Sequence, residues 1–146
     1  MRARDHVIAS TGVSLVFGAA VHSWPATLVC FLSGILIDLD HYLEYYFHRG
    51  KFPWRYKDLV DFCMPYKENK VYLIFHAYEH LVILWALIYC FQMNSLWVGM
   101  ALGLSVHLMF DQFTNPIKPM AYFLIFRAQN KFDTVKIINE HRVVIG

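Results

Sequence analysis

Histidine and aspartate side chains gather in four short clusters, each near one end of an apolar stretch of the sequence. Imidazole and carboxylate groups are ligands for zinc and for harder divalent ions. Burying such groups among apolar residues is costly unless they are paired or coordinate a cation. A metal centre is therefore the first hypothesis. The clusters are His6, Asp38-Leu39-Asp40-His41, His76-Ala77-Tyr78-Glu79-His80, and His107 with Asp111.

The composition around these clusters is that of a membrane protein. Of the 146 residues, 58% are hydrophobic and only 16% are charged, whereas about 25% are charged in a typical soluble domain. Segments 7–37 and 81–110 contain no Asp, Glu, Lys or Arg, so each is long enough for a helix, a tight turn and a returning helix. Turn and helix-start residues interrupt both segments, at His22-Ser23-Trp24-Pro25 and at Gln92-Met93-Asn94-Ser95.

The predicted fold is all-α, with residues 1–146 forming one domain built on a four-helix transmembrane bundle of two antiparallel hairpins. The helices are expected at about 6–22, 25–47, 70–92 and 95–113. Between the hairpins, residues 51–69 predict a cytoplasmic connection with a short interfacial helix carrying Trp54 and Tyr56. Residues 119–128 are apolar but too short to span, so they predict a C-terminal segment that lies along the membrane surface or covers the bundle.

The distribution of Lys and Arg predicts the orientation in the membrane. They occur at the N-terminus, in the central segment and in the tail, while neither short turn has any. By the positive-inside rule, both termini and the connection lie in the cytoplasm. The net charge of +2 is too small to suggest a nucleic-acid partner. Membrane lipids are the expected partners. The helices also contain glycines that suit close packing, so a homo-oligomer is a second possibility.

Two geometric arguments place the clusters in one site. An α-helix rises 1.5 Å per residue, so each cluster lies about 18 to 24 Å from the hairpin turn of its predicted helix. The clusters therefore share one depth in the bundle, as the ligands of one metal centre must. Asp38 and Asp40 are about 200° apart on a regular helix, so they point in different directions. Both can belong to the metal site only if the helix is distorted there, or if one of them hydrogen-bonds to a metal ligand instead of binding the ion. Three pairs share a helix face through spacings of three or four residues: His76 with His80, His107 with Asp111, and Asp38 with His41.

The predicted ligand set combines imidazoles and carboxylates without a thiolate. This set favours Zn²⁺, with Mn²⁺ and Fe²⁺ as rivals. A single catalytic zinc needs about three protein ligands, so the surplus predicts two or three ions, an arrangement that activates water and clamps a phosphate. The predicted ligands are His6, Asp38, Asp40, His41, His76, His80, His107 and Asp111.

Most of this pattern resembles the membrane-bound metal-dependent hydrolase family of bacteria, which have an N-terminal His at a helix start, a DxDH run and an HxxxD pair. The segment His107–Pro116 is also similar to the HxxxDxxxxP segment of zinc-dependent phospholipase C and fungal single-strand nucleases. The resemblance implies an inner-membrane hydrolase and metal-ligand roles for His6, Asp38, His107 and Asp111, with Asp40 and His41 added less directly. One departure is that His48-Arg49-Gly50 begins the family's HRGxTHS-like run, but no Thr-His-Ser follows.

The predicted reaction is hydrolysis of a phosphoester, and a site at headgroup level makes a phospholipid a convenient substrate. Glu79, which lies near the predicted His76 and His80 face, or Asp40 is the predicted general base. Arg49 is predicted to hold the phosphate, because a guanidinium forms charge-assisted hydrogen bonds with its oxygens.

Three other functions fit parts of the pattern. The HxxEH string at 76–80 matches a zinc metalloprotease motif with Glu79 as base, although it leaves His6 and the DxDH run unexplained. A haem carrier could use His80 and His107, but carboxylates at the same depth argue against it. A metal or proton transporter fits intramembrane His and Asp residues, although the sequence lacks paired helix breaks at the midplane.

Overall fold

The structure is a computed structural model that describes residues 3–63 and 68–139, and these residues form helices and turns without a β-strand. This confirms the predicted all-α class. The elements in chain order are α1 (Ala3–Val21), α2 (Trp24–Leu36), a 3₁₀ turn (Ile37–Leu39), α3 (Asp40–Arg49), α4 (Tyr56–Cys63), α5 (Tyr78–Phe91), α6 (Ser95–Thr114), a second 3₁₀ turn (Pro119–Tyr122), α7 (Leu124–Gln129) and α8 (Thr134–Ile137).

The chain divides into two compact units. Unit 1 combines Met1–Ile37 with Tyr78–Asn115, and unit 2 combines Asp38–Ala77 with Pro116–Gly146. Unit 1 therefore contains the long helices α1, α2, α5 and α6, whereas unit 2 contains short helices and the loops between them.

Both hairpins of unit 1 turn where the sequence predicts. His22 and Gln92 each take a φ of 49°, which ends the helix before them. Ser23 and Asn94 then cap the following helices, because their side-chain oxygens accept hydrogen bonds from the backbone N–H groups of Ala26 and Leu96, respectively. The two predicted breaks are confirmed.

Small residues bring the helices of unit 1 close together. Helix α2 packs against both α1 and α6, and α5 packs against α6. A Cβ atom at Gly103 would press on the carbonyl oxygen of Cys30 in α2, and one at Gly34 would press on the Ser10 hydroxyl of α1. Ser33 adds an interhelical hydrogen bond, since its hydroxyl donates to the Met100 carbonyl at 3.2 Å. Close backbone approach through small residues is typical of helices that pack within a membrane.

Unit 1 buries polar side chains and exposes apolar ones. On α1, for example, Ser14 is 2% exposed and Val16 is 73% exposed. A protein folded in water shows the opposite pattern. The helical segments Trp24–Arg49 and Ser95–Thr114 are long and apolar enough to cross a membrane, and Tyr78–Phe91 is a shorter apolar helix.

In unit 2, buried carboxylates hold a loop where the sequence predicts a helix. The prediction of a helix from residue 70 is wrong, because α5 begins only at Tyr78. Glu44 accepts hydrogen bonds from the backbone of 72 and 73, and Asp40 accepts them from 75 and 76. These amides are therefore not available for a helical ladder, and Leu73 takes a φ of 40°.

The other short elements lie near their predicted places. Helix α4 confirms a short helix within the predicted connection, but it begins at Tyr56, so Trp54 precedes it and the prediction that the helix carries Trp54 is wrong. Its position at a membrane interface stays a prediction. The C-terminal apolar segment forms the second 3₁₀ turn and α7, which pack against each other.

Candidate metal centre

Three predicted ligands of unit 1 meet in its interior. His6 comes from α1, and His107 and Asp111 come from α6. Each is buried, and one ligand atom from each lies within 4.8 Å of the other two. His6 Nε2 lies 3.1 Å from Asp111 Oδ1, and His107 Nε2 lies 3.4 Å from Asp111 Oδ2. The predicted meeting of these two clusters is confirmed, whereas a bound metal stays a prediction.

The backbone of α2 fixes the orientation of His107. Its Nδ1 lies 2.8 Å from the Gly34 carbonyl oxygen, which can only accept, so Nδ1 carries a proton and donates it. In the neutral ring, Nε2 then presents a lone pair toward the carboxylate of Asp111. That pairing is repulsive unless a proton or a cation lies between the two groups. A metal-bound histidine commonly donates its other N–H to a backbone carbonyl in this way.

The two imidazoles face the carboxylate from the same side. The rings of His6 and His107 stack at 4.0 Å with an angle of 14° between their planes. Two imidazole nitrogens and one carboxylate oxygen are the donor number and type of catalytic zinc sites, which keep a fourth position open. The residues of this cluster, here called the unit 1 triad, therefore fit a zinc ion.

A second ligand cluster lies in unit 2 around His76. The ring Nδ1 of His76 is 3.0 Å from Asp40 Oδ2, and its Nε2 is 3.7 Å from Asp38 Oδ1. The same Asp40 oxygen accepts from the backbone N–H groups of Phe75 at 2.7 Å and His76 at 3.1 Å. Asp40 thus orients the ring of His76 and its Nε2 toward Asp38.

Both alternatives predicted for the two aspartates are present, since the helix is distorted between them and Asp40 hydrogen-bonds to His76. The 3₁₀ turn at Ile37–Leu39 interrupts the α-helical path. A 3₁₀ helix has three residues per turn, so a step of two residues rotates about 240° around the helix axis instead of about 200° in an α-helix. Measured the shorter way around the axis, the angle between the side chains of Asp38 and Asp40 falls from about 160° to about 120°. Both carboxylates consequently reach His76: Asp38 lies 3.7 Å from its Nε2, and Asp40 lies 3.0 Å from its Nδ1.

His41 completes this cluster together with a half-buried thiol. Its Nε2 lies 3.8 Å from Asp38 Oδ1, and its Nδ1 lies 3.7 Å from Cys63 Sγ. Burial, reinforced by the nearby carboxylates of Glu44 and Asp38, raises the pKa of the Cys63 thiol to about 12.

Other predicted site residues lie elsewhere. His80 is exposed and Glu79 is half-buried, both in the first turn of α5. His76 precedes that helix, so the predicted helical face shared by His76 and His80 does not form. The guanidinium of Arg49 pairs with Glu68 and lies over the ring of Phe62, 5.6 Å from its centre.

Two supporting residues were missed from the sequence. Glu44 holds the backbone of 72 and 73 at 2.9 to 3.0 Å and lies 3.3 Å from His48 Nε2. The i,i+4 spacing of Asp40, Glu44 and His48 on α3 was a usable signal for it. Arg127 is buried and donates to the His76 carbonyl at 3.1 Å. No local sequence pattern predicts this contact.

Comparison with known proteins adds no relative. No protein-family model, curated protein or solved structure matches this chain. The functional argument therefore depends on the two ligand clusters and on the distribution of polar and apolar side chains.

Proposed function

We propose that this chain is a membrane-bound, metal-dependent hydrolase that binds zinc at the unit 1 triad. The observation that carries the proposal is the orientation of His107, whose Nδ1 donates to Gly34 while its Nε2 faces the carboxylate of Asp111. A cation relieves that contact and is the partner that two imidazoles and a carboxylate select.

The proposed location is the inner membrane, crossed by the four long helices as two antiparallel hairpins with both termini in the cytoplasm. Apolar side chains on the outside of unit 1 and buried Ser, Thr, His and Asp within it support this location. The apolar segments Trp24–Arg49 and Ser95–Thr114 have the length required.

When bound, zinc supplies Lewis acidity, which polarises a phosphoryl oxygen and makes water acidic enough to act as a nucleophile near neutral pH. The chain supplies the geometry: the stacked imidazoles and Asp111 hold three positions and leave one for substrate or water. Burial of the triad keeps bulk water out and strengthens its electrostatic interactions.

The proposed substrate is a phosphoester, with a phospholipid as the form that a membrane site reaches most directly. The unit 2 cluster of Asp38, His41 and His76 supplies a second set of ligands, so we expect at least two ions per chain. Glu79 is the proposed general base, because Asp38 is a proposed ligand of the second cluster and Asp40 is committed to the backbone and to His76.

The experiment combines metal analysis with hydrolysis of bis(p-nitrophenyl) phosphate by detergent-purified protein. Wild type is compared with His107→Gln and with His80→Gln, a control at an exposed position. We expect zinc in the wild type, a loss of about one equivalent and of hydrolysis in His107→Gln, and no change in His80→Gln. This one-equivalent difference follows from the three-ligand triad.

Four outcomes would contradict the proposal. Full zinc content in His107→Gln would remove the triad as a site. Loss of zinc in His80→Gln with retention in His107→Gln would instead favour the HxxEH metalloprotease. Iron with a Soret band would point to the haem carrier, and protein without metal would favour a transporter.

A further inference from the structure

The segment Lys51–Lys57 alternates cations with aromatic rings. Its sequence is Lys-Phe-Pro-Trp-Arg-Tyr-Lys, and it contains no acidic residue. All three cations are exposed. So are the rings, with Phe52 at 59%, Trp54 at 95% and Tyr56 at 60%. Large aromatic rings that stay mostly exposed to water mark an interaction surface, and cations beside them indicate that the partner is anionic.

Contacts on both sides hold this segment in a defined shape. Gly50, with a φ of 66°, ends α3, and the ring of Phe52 stacks on Tyr46 at 4.9 Å. At the other end, the Arg55 backbone N–H donates to the Asp58 side chain at 3.2 Å as α4 begins. The exposed rings are therefore part of a folded surface.

The position of the segment along the chain identifies the partner. It starts two residues after the apolar helical segment Trp24–Arg49 ends. Five residues of chain reach at most roughly 18 Å, so Trp54 stays within that distance of Arg49. If Trp24–Arg49 crosses the membrane as proposed above, this places the rings and cations at the headgroup layer, where Trp and Tyr concentrate.

We propose that Lys51–Lys57 is a binding surface for anionic phospholipid headgroups. The rings of Trp54 and Tyr56 insert at the boundary between headgroups and acyl chains, while Lys51, Arg55 and Lys57 contact phosphate groups. A cation close to an anionic membrane surface strengthens binding about fivefold. The inference rests on the proposed membrane location but not on the metal centre.

The first test is lipid selectivity, measured by native mass spectrometry of the full chain in detergent with phosphatidylglycerol or phosphatidylcholine added. The variant Lys51→Gln/Arg55→Gln/Lys57→Gln is compared with Lys70→Gln/Lys131→Gln/Lys136→Gln, which removes three equally exposed charges of unit 2. We expect the wild type to prefer phosphatidylglycerol, the first variant to lose roughly a hundredfold of that preference, and the second to keep it. An equal loss in both variants, or no preference in the wild type, would overturn the proposal.

The second test locates Trp54. Fluorescence of wild type minus that of Trp54→Phe isolates this ring, and quenching is measured in nanodiscs whose lipids carry bromine high on the acyl chain. Quenching of the difference signal is expected; none would place Trp54 in water or against a protein partner and overturn the proposal. Missing zinc would leave both results intact, whereas a protein that purifies without detergent would remove the membrane location itself.

Discussion

The two units use the same residue types for different purposes. Asp111 in unit 1 and Asp40 in unit 2 are each 3% exposed. Asp111 faces two imidazoles, whereas Asp40 accepts two backbone amides and one imidazole on a single oxygen. Helices that pack through small residues already satisfy their own backbone, so no loop in unit 1 needs its carboxylate as an acceptor. The loop of unit 2 has no such ladder, and its carboxylates replace one.

The largest expected effect is on metal binding at Asp111. In Asp111→Asn the amide keeps the shape of the side chain but loses the charge that zinc requires. Removing a residue that only hydrogen-bonds to a metal ligand costs about 10- to 100-fold in metal affinity, so removing this ligand is expected to cost more than about 100-fold. Isothermal titration with buffered zinc measures the affinity, while thermal unfolding of the metal-free variant is expected to change little. A folded variant with wild-type zinc affinity would contradict the role of Asp111 as a metal ligand, and with it the difference drawn between Asp111 and Asp40.

The next effect is on stability at Asp40. Asp40→Ala leaves the amides of Phe75 and His76 without their acceptor, and losing a buried charged partner costs about 3 to 5 kcal/mol. Hydrogen exchange at these two amides is the direct measurement, and their protection is expected to fall sharply. Asp58→Ala is the control, because Asp58 is exposed and accepts from Arg55 alone among the bonds described for it. Unchanged protection in Asp40→Ala would show that the loop does not depend on the carboxylate.

A third effect tests whether packing holds unit 1 together. In Gly103→Ala the new methyl group presses on the Cys30 carbonyl of α2, and such overpacking typically costs 1 to 3 kcal/mol. Gly12→Ala is the matched control, because a Cβ at Gly12 meets no atom within 4 Å. There the lower backbone entropy of alanine is expected to add roughly 0.5 to 1 kcal/mol of stability. Equal unfolding temperatures for the two variants would show that close packing between α2 and α6 does not hold unit 1 together.

The sequence predicted unit 1 far better than unit 2, for a physical reason. Hairpin turns at His22 and Gln92 carry local signals, and a charge-free stretch predicts a helix whatever surrounds it. The meeting of His6 with His107 and Asp111 followed from helix rise alone, since helices of similar length that return from a turn bring their ends to one depth.

The loop before α5 was not predictable in the same way. Its apolar residues at 71–75 are compatible with the first turns of a helix, and the amides that prevent one are bonded to residues 28 to 36 positions earlier in the chain. Local propensity cannot include partners so distant in sequence. The HxxEH motif was misleading for the same reason, because its first histidine lies in that loop.

The last prediction concerns the Cys63 thiol and tests whether unit 2 shields it from water beside its carboxylates. With its pKa raised from 9.0 to about 12, this thiol holds about a thousandfold less thiolate at pH 8 than in the unfolded chain, and the thiolate is the species that reacts. Folding retains the proton, so the contribution of Cys63 to stability is present below pH 9 and decreases as pH rises from 9 toward 12. Iodoacetamide labelling followed by peptide mass spectrometry, in native protein and in urea, measures the difference. Equal rates in both states would mean that the thiol is neither shielded from water nor placed beside Glu44 and Asp38, which would contradict the packing described for unit 2.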